Sequence, residues 1–387
     1  MSLDTAYLLT LVKQTIEIDS ITPHEETLAA FFADEIRKLG IDPQWHEVAP
    51  GRPNVYSKAR LGPADDMLLL TGHLDTVDIA ENWETPPLKA VEKDGKLFGL
   101  GSYDMKSGLV CAFMAFKTLL EDKSLHSKLG TIAFAATVDE EGYGLGAKAL
   151  LETEYKDSTG IIVTEPFWGS AERPLPIGLT GKVLYKLSFQ GKMSHGFYPE
   201  RGVNAVEEAG KLLAALESLN LYNHALYGKG NYSTLKIEGG YKEYAVVVPE
   251  RCDVIISRLT VPGESKETAL EDMQTLLKTL DLKAEVRVEI LEPFYDPYLL
   301  ENESRLKTSF DRAYKQSTGQ DPHYAFLKGI TDANIYVTEG GIPSLTFGPK
   351  GNGAHECNEY VELDSLVPVA QVLIDACIHY FDQSAAD

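Results

Sequence analysis

The chain has 387 residues, 44% hydrophobic and 24% charged, the composition of a soluble globular protein long enough for two domains. Its formal net charge of -22 excludes a basic face for nucleic acid and disfavours an anionic membrane surface. No run approaches the roughly 20 apolar residues of a membrane span. Residues 1–11 carry no export pattern, so the cytoplasm is the expected compartment.

The first predicted element is a helix over 25–39, with Leu28, Phe32, Ile36 and Leu39 on one face and a stop at Gly40. Short apolar runs follow at 67–71, 131–138 and 160–164, with a helix over 107–120 between the first two. These runs do not alternate, which suits strands buried on both faces of a largely parallel α/β sheet with helices on both sides. Residues 182–291 have a different texture. Val183, Tyr185, Leu187 and Phe189 alternate with Leu184, Lys186 and Ser188, and Ala284, Val286, Val288 and Ile290 alternate with polar neighbours. Helical spacing runs through Val206, Ala209, Leu213 and Leu216, and again through Leu270, Met273, Leu277 and Leu280. Strand candidates at 232–237 and 252–259 complete the order β-α-β-β-α-β, a ferredoxin-like unit. The expectation is a catalytic domain made of 1–180 and 292–387, interrupted by an inserted lid or dimerisation domain at 181–291. Another apolar run at 343–347 and a closing helix over 366–381 return the chain to the first domain. The four cysteines, Cys111, Cys252, Cys357 and Cys377, lack paired spacing and read as free thiols.

The chemistry gathers where the apolar runs end. Residues 67–71 lead into Gly72-His73-Leu74-Asp75, 131–138 into Asp139-Glu140-Glu141, 160–164 into Glu165, and 343–347 through a Gly-rich loop to His355. Open α/β sheets bind ligands at the carboxyl ends of their strands. Imidazole and carboxylate are what a borderline divalent ion accepts. Asp104 follows the loop 99–103 and precedes a helix start, so capping competes with ligation there. Two divalent ions facing Asp104, Glu141 and Glu165 leave about one net positive charge to acidify a water, whereas a single ion would be over-neutralised.

His73-Leu74-Asp75, the segment 99–108 with Asp104-Met105-Lys106, Glu140-Glu141, Glu165 and His355 resemble a known family. It comprises acetylornithine deacetylase, succinyl-diaminopimelate desuccinylase, aminoacylase and glutamate carboxypeptidase, all two-zinc metallopeptidases. The resemblance spans essentially the whole chain. It implies His73 and Glu165 on one zinc, Glu141 and His355 on the other, and Asp104 bridging them, with Co2+ or Mn2+ able to replace Zn2+. It implies Asp75 orienting the imidazole of His73, Glu140 as general base, His195 on the oxyanion, and Arg258 and Asn204 on the substrate. The implied reaction is amide hydrolysis of a small acylated amino acid or short peptide, in a homodimer formed through the inserted domain. An aminopeptidase, and a relative that binds metal without turnover, are the alternatives. The sequence departs from several relatives at 100–103, which lack the arginine found there, and at Lys350, where many have glycine. Cys357, close to His355, is not needed for the ligand set.

Overall fold

The computed structural model describes residues 3–382 apart from 242, 244 and 302. The chain divides into two compact units: Met1–Gly178 with Leu300–Leu327 and Thr331–Asp387, and Leu179–Leu299 with Lys328–Ile330.

The larger unit is built on a six-stranded sheet ordered Gln44–Ala49, Arg52–Arg60, Thr131–Thr137, Met67–His73, Gly160–Val163 and Ser344–Thr346. The last four run parallel, in the register Leu70 to Phe134 and to Ile162, with Leu345 beside Ile162. The first two strands are antiparallel additions at one edge. Met67–His73 is buried at every position, so its unbroken apolar run reflects a strand covered on both faces, as expected. The core around the sheet includes Phe32, Phe113, Phe116 and Phe134, drawn from two helices and a central strand.

Helix Glu26–Lys38 buries Leu28, Phe32 and Ile36 and ends before Gly40, whose φ of 77° suits glycine. Helix Lys106–Glu121 lies so close to the sheet that a Cβ on Gly108 would stand 2.0 Å from the Thr164 carbonyl oxygen. Helix Leu363–Phe381 has the length and hydropathy of a membrane span, against the expectation that no segment does. It is a core helix: 61% of its apolar window is buried, and it packs on Lys106–Glu121 and Arg305–Thr318. A second, antiparallel sheet, ordered Gly351–Asn352, Tyr360–Glu362, Lys96–Phe98 and Val91–Lys93, brings the segments around 99–104 and 353–359 side by side.

The smaller unit has a four-stranded antiparallel sheet ordered Asn231–Gly239, Arg251–Thr260, Gly181–Gln190 and Glu285–Tyr295. Gly181–Gln190 alternates buried and half-buried positions, because one face carries helices Ala205–Ala215 and Lys266–Lys278. Val183, Tyr185, Leu187 and Phe189 join Ala209, Leu212, Met273 and Leu276 in a core of its own.

Candidate metal centre

His73 ends its strand with its side chain 1% exposed. Its Nδ1 donates to the main-chain oxygen of Asp75 at 2.9 Å, which directs Nε2 toward the carboxylates. The sequence implied that Asp75 orients the imidazole. The main-chain oxygen of Asp75 meets Nδ1, while its carboxylate oxygen stands 3.7 Å from that nitrogen. That carboxylate is spent elsewhere: Oδ1 accepts the Glu140 N–H at 3.2 Å, and Oδ2 accepts the Glu141 N–H at 3.0 Å and the Thr22 hydroxyl at 3.0 Å. Asp75 therefore ties the first histidine to the acidic pair.

Asp104 directs one oxygen to each of two imidazoles: Oδ1 is 3.3 Å from His73 Nε2, and Oδ2 is 3.5 Å from His355 Nε2. It does not cap the following helix, whose N-cap is Met105 without a side-chain capping bond. His355 Nε2 also lies 2.8 Å from Glu141 Oε1. Glu140 Oε2 and Glu165 Oε1 each stand 3.9 Å from His73 Nε2. Two groups with mutual atom distances within 4.8 Å result, His73 with Asp104 and Glu141, and His73 with Glu140 and Glu165. Cys357 is in neither group.

The electrostatics are those of buried carboxylates seeking positive charge. Burial lowers the His73 pKa, but Asp104, Glu140, Glu165 and Asp75 outweigh it and hold the group well above its ordinary value. His355 is pushed up to about 10 by its contacts with Asp104 and Glu141. Burial would raise Asp104, yet the two imidazoles keep it well below the usual carboxylate range. Glu140 and Glu165 sit well above that range, through burial first and then through neighbouring carboxylates, Glu165 acting on Glu140 and Asp104 on Glu165. Glu165 Oε1 is buried with no hydrogen-bond partner. Two imidazoles, four crowded carboxylates and an orphaned carboxylate oxygen fit a pair of divalent cations.

Arg258 requires a correction. Its guanidinium is fully buried, donating to Glu264, to Asp272 at 2.9 Å, to Tyr185 Oη at 3.2 Å and to the Asn220 main-chain oxygen at 3.1 Å. A guanidinium so engaged binds its own domain together and does not present itself to a substrate carboxylate. Asn204 is likewise corrected. It is the N-cap of Ala205–Ala215, its Oδ1 accepting from Val206 and Glu207 and its Nδ2 donating to Glu207 at 3.0 Å. His195 is exposed, and its Nδ1 accepts the Phe197 N–H at 3.1 Å. The Lys350 amino group lies 4.5 Å from the centroid of the Trp168 ring, a cation–π contact.

Two buried acids escaped the sequence reading of the site. Glu359 accepts three backbone N–H groups of the Asp104 loop. Asp332 is buried and accepts the Thr137 hydroxyl at 3.2 Å. No ligand spacing marks either one. The available signal was an isolated acid beside an apolar strand or helix start.

A parallel α/β sheet that gathers two histidines and four carboxylates at its carboxyl edge, in a chain with a split βαββαβ insertion, defines a metal-dependent hydrolase. The chain belongs to the peptidase family M20/M25/M40, whose model matches residues 69–379. A succinyl-diaminopimelate desuccinylase from Nautilia profundicola is 25% identical over 375 residues, covering 94% of this chain and 97% of that protein. The fold is similar to that of aminopeptidase PepT from Bacillus cereus, with TM-score 0.81, 20% identity and coverage of 98% and 99% of the two chains. It is also similar to a dinuclear metal-binding M20 peptidase from Bacillus subtilis, with TM-score 0.71, 15% identity and 97% coverage of each chain.

Proposed function

We propose that the chain hydrolyses the amide bond of a small N-acyl amino acid with a free carboxylate, as a deacetylase or desuccinylase does. Two zinc ions would be held by His73 and Glu165 and by Glu141 and His355, with Asp104 between them, and Co2+ or Mn2+ could serve instead. The observation that carries this reading is Asp104 offering one oxygen to each histidine, at 3.3 and 3.5 Å. When bound, the ions supply positive charge that polarises the amide carbonyl and acidifies a water.

The chain's own groups do the rest. Glu140, beside the ligands and with its proton affinity raised by burial, takes the proton of the attacking water and passes it to the leaving amine. Asp75 and its main-chain oxygen hold His73 and the Glu140-Glu141 backbone in one arrangement. His195 accepts at Nδ1, which leaves an N–H at Nε2 to donate to the developing oxyanion, within a homodimer formed through the inserted unit. The cytoplasm is the proposed compartment.

A second reading, an aminopeptidase, gains from the burial of Arg258, since it needs no clamp for a substrate α-carboxylate. The test is release of free amine from N-acetyl, N-succinyl and N-formyl amino acids and from di- and tripeptides. Glu140→Ala should lower kcat at least about 100-fold while zinc content stays at wild-type level. Activity confined to peptides would replace the acylase reading. Unchanged turnover in the variant would remove Glu140 from its role.

A further inference from the structure

Glu359 lies four residues after His355, ahead of the strand Tyr360–Glu362, and is 2% exposed. Its Oε2 accepts the Gly101 N–H at 2.7 Å, and its Oε1 accepts those of Tyr103 at 2.7 Å and Asp104 at 2.9 Å. The Glu359 main-chain oxygen accepts a fourth bond, from Gly99 at 3.1 Å, and Tyr360 pairs with Phe98 in the antiparallel sheet. Gly99 and Gly101 have φ of 155° and 72°, the backbone freedom that lets successive N–H groups turn toward one point. Such a concavity binds an anion, and here the chain supplies its own.

The connection is specific. The peptide N–H held by Glu359 belongs to Asp104, whose two oxygens face His73 and His355. The loop that carries Glu359 also carries His355. A third ligand joins the same frame: the Tyr103 hydroxyl donates to the main-chain oxygen of Pro166 at 2.9 Å, next to Glu165. The loop 99–104 is thus fixed at its backbone by one carboxylate and at its side by one phenol.

We propose that Glu359 is a positioning residue for the metal pair, its carboxylate setting the place of Asp104 and locking the Asp104 loop to the His355 loop. The proposal rests on reading His73, Asp104, Glu141, Glu165 and His355 as the ligands. Glutamine cannot replace Glu359. One of its two ends is an NH2, which would face at least one backbone N–H with another donor and would leave that N–H buried and unpaired.

The experiment titrates chelator-treated full-length protein with Zn2+ alone against a chromophoric chelator, and records the absorption spectrum with Co2+ alone. Wild type, Glu359→Gln, Glu359→Asp and the control Glu362→Gln are compared, with the metal-free melting temperature of each. Glu359→Gln should bind at least one ion about 10- to 100-fold more weakly. Its Co2+ spectrum should change, while its metal-free melting temperature falls by only a few degrees, about what one unpaired buried N–H costs. Glu359→Asp keeps the charge but draws it back by one methylene, so it should fall between, and it carries the test if the glutamine variant does not fold. Wild-type affinity and spectrum in a folded variant would overturn the proposal. So would failure of both variants to fold, which would make the residue structural. Fewer than two ions on the wild type would instead overturn the two-metal reading itself.

Discussion

Asp332 shows how one buried side chain can make the whole chain sensitive to pH. It is 2% exposed, its Oδ2 accepts from Thr137, and its Oδ1 has no hydrogen-bond partner. Burial, aided by Asp75 and Asp139 and opposed by His73, raises its pKa from 3.8 to about 7. In the metal-free protein the folded state therefore holds this proton more tightly than the unfolded chain does. Its contribution is complete below pH 4 and is lost as pH rises toward 7. Asp332→Asn is neutral throughout and escapes that loss. Relative to wild type, the variant should gain up to about 4 kcal/mol between pH 4 and 8, read from urea unfolding in chelator. Parallel pH curves for the two proteins would show that Asp332 ionises freely in the fold. At this scale the sequence was most legible where residue type and position agree: His73, Glu141 and Glu165 follow buried strands, and ligand chemistry leaves few other uses for them there. It misled where one side chain has two equally good uses. The family resemblance put Arg258 on the substrate, yet it closes a buried ion-pair network with Glu264 and Asp272. Glu359 was invisible because its partners are backbone N–H groups, which leave no pattern in side-chain spacing.

Between elements, the loop that carries Glu140 and Glu141 depends on an ion-pair relay. Glu25, at the head of helix Glu26–Lys38, holds Arg52 of the strand Arg52–Arg60 through Nε at 2.9 Å and through a second bond at Nη2. Arg52 Nη1 reaches Asp139 Oδ1 at 2.7 Å. Asp139 keeps a left-handed φ of 69° and accepts the N–H groups of Tyr143 and Leu145, so its carboxylate shapes the turn after Glu140-Glu141. Both carboxylates are buried, and Arg52 is only 12% exposed at its side chain. Arg52→Met removes the shared cation and strands two buried acids. The expected loss is about 3–5 kcal/mol in urea unfolding, with Arg52→Lys intermediate because it lacks the planar fork. A loss under about 1 kcal/mol would mean water replaces the arginine. Element prediction worked where the apolar pattern was strong, by helical spacing for Glu26–Lys38 and by unbroken apolar runs for the strands Met67–His73 and Thr131–Thr137. The antiparallel pair Gln44–Ala49 and Arg52–Arg60 was not among the predicted elements. Gln44, Trp45 and Glu47 are exposed on an edge, so no apolar run or alternation announces the first strand. Helix Arg305–Thr318 was also missed, although Leu306, Phe310, Ala313 and Tyr314 recur at helical spacing between the N-cap Ser304 and Gly319.

At the scale of the whole molecule, the order β-α-β-β-α-β was legible because each unit closes its own core, and each core imposes its own periodicity. A pairing of two copies of the chain would use an edge of the smaller unit's sheet. Asn231–Gly239 is the terminal strand of the four-stranded sheet, bonded on one side to Arg251–Thr260. Nearly every residue in it is exposed, including Leu235 at 59% and Ile237 at 49%. A register shift between Thr234 and Lys236 puts Leu235 outside the regular pairing, and the strand carries no proline, its charges Lys236 and Glu238 being paired with each other at 2.6 Å. A nine-residue terminal strand, paired with one neighbour among the described residues and carrying two exposed aliphatic side chains, can template another strand. A second copy of the same strand, run antiparallel about a twofold axis, satisfies both backbones with a single self-complementary contact. Sedimentation velocity on the wild type at micromolar concentration should therefore give a dimer. Placing lysines at both aliphatic positions, Leu235→Lys with Ile237→Lys, sets like charges against each other across the axis and should shift the protein to a monomer. The double variant should keep its far-ultraviolet circular dichroism, because neither side chain belongs to the core of its unit. If His195 acts on the oxyanion from the partner subunit, turnover should fall together with the dimer fraction while bound zinc does not change. A monomeric wild type that turns over normally would remove both the edge contact and the shared histidine. A dimer that survives the double lysine would move the interface to another surface of the chain.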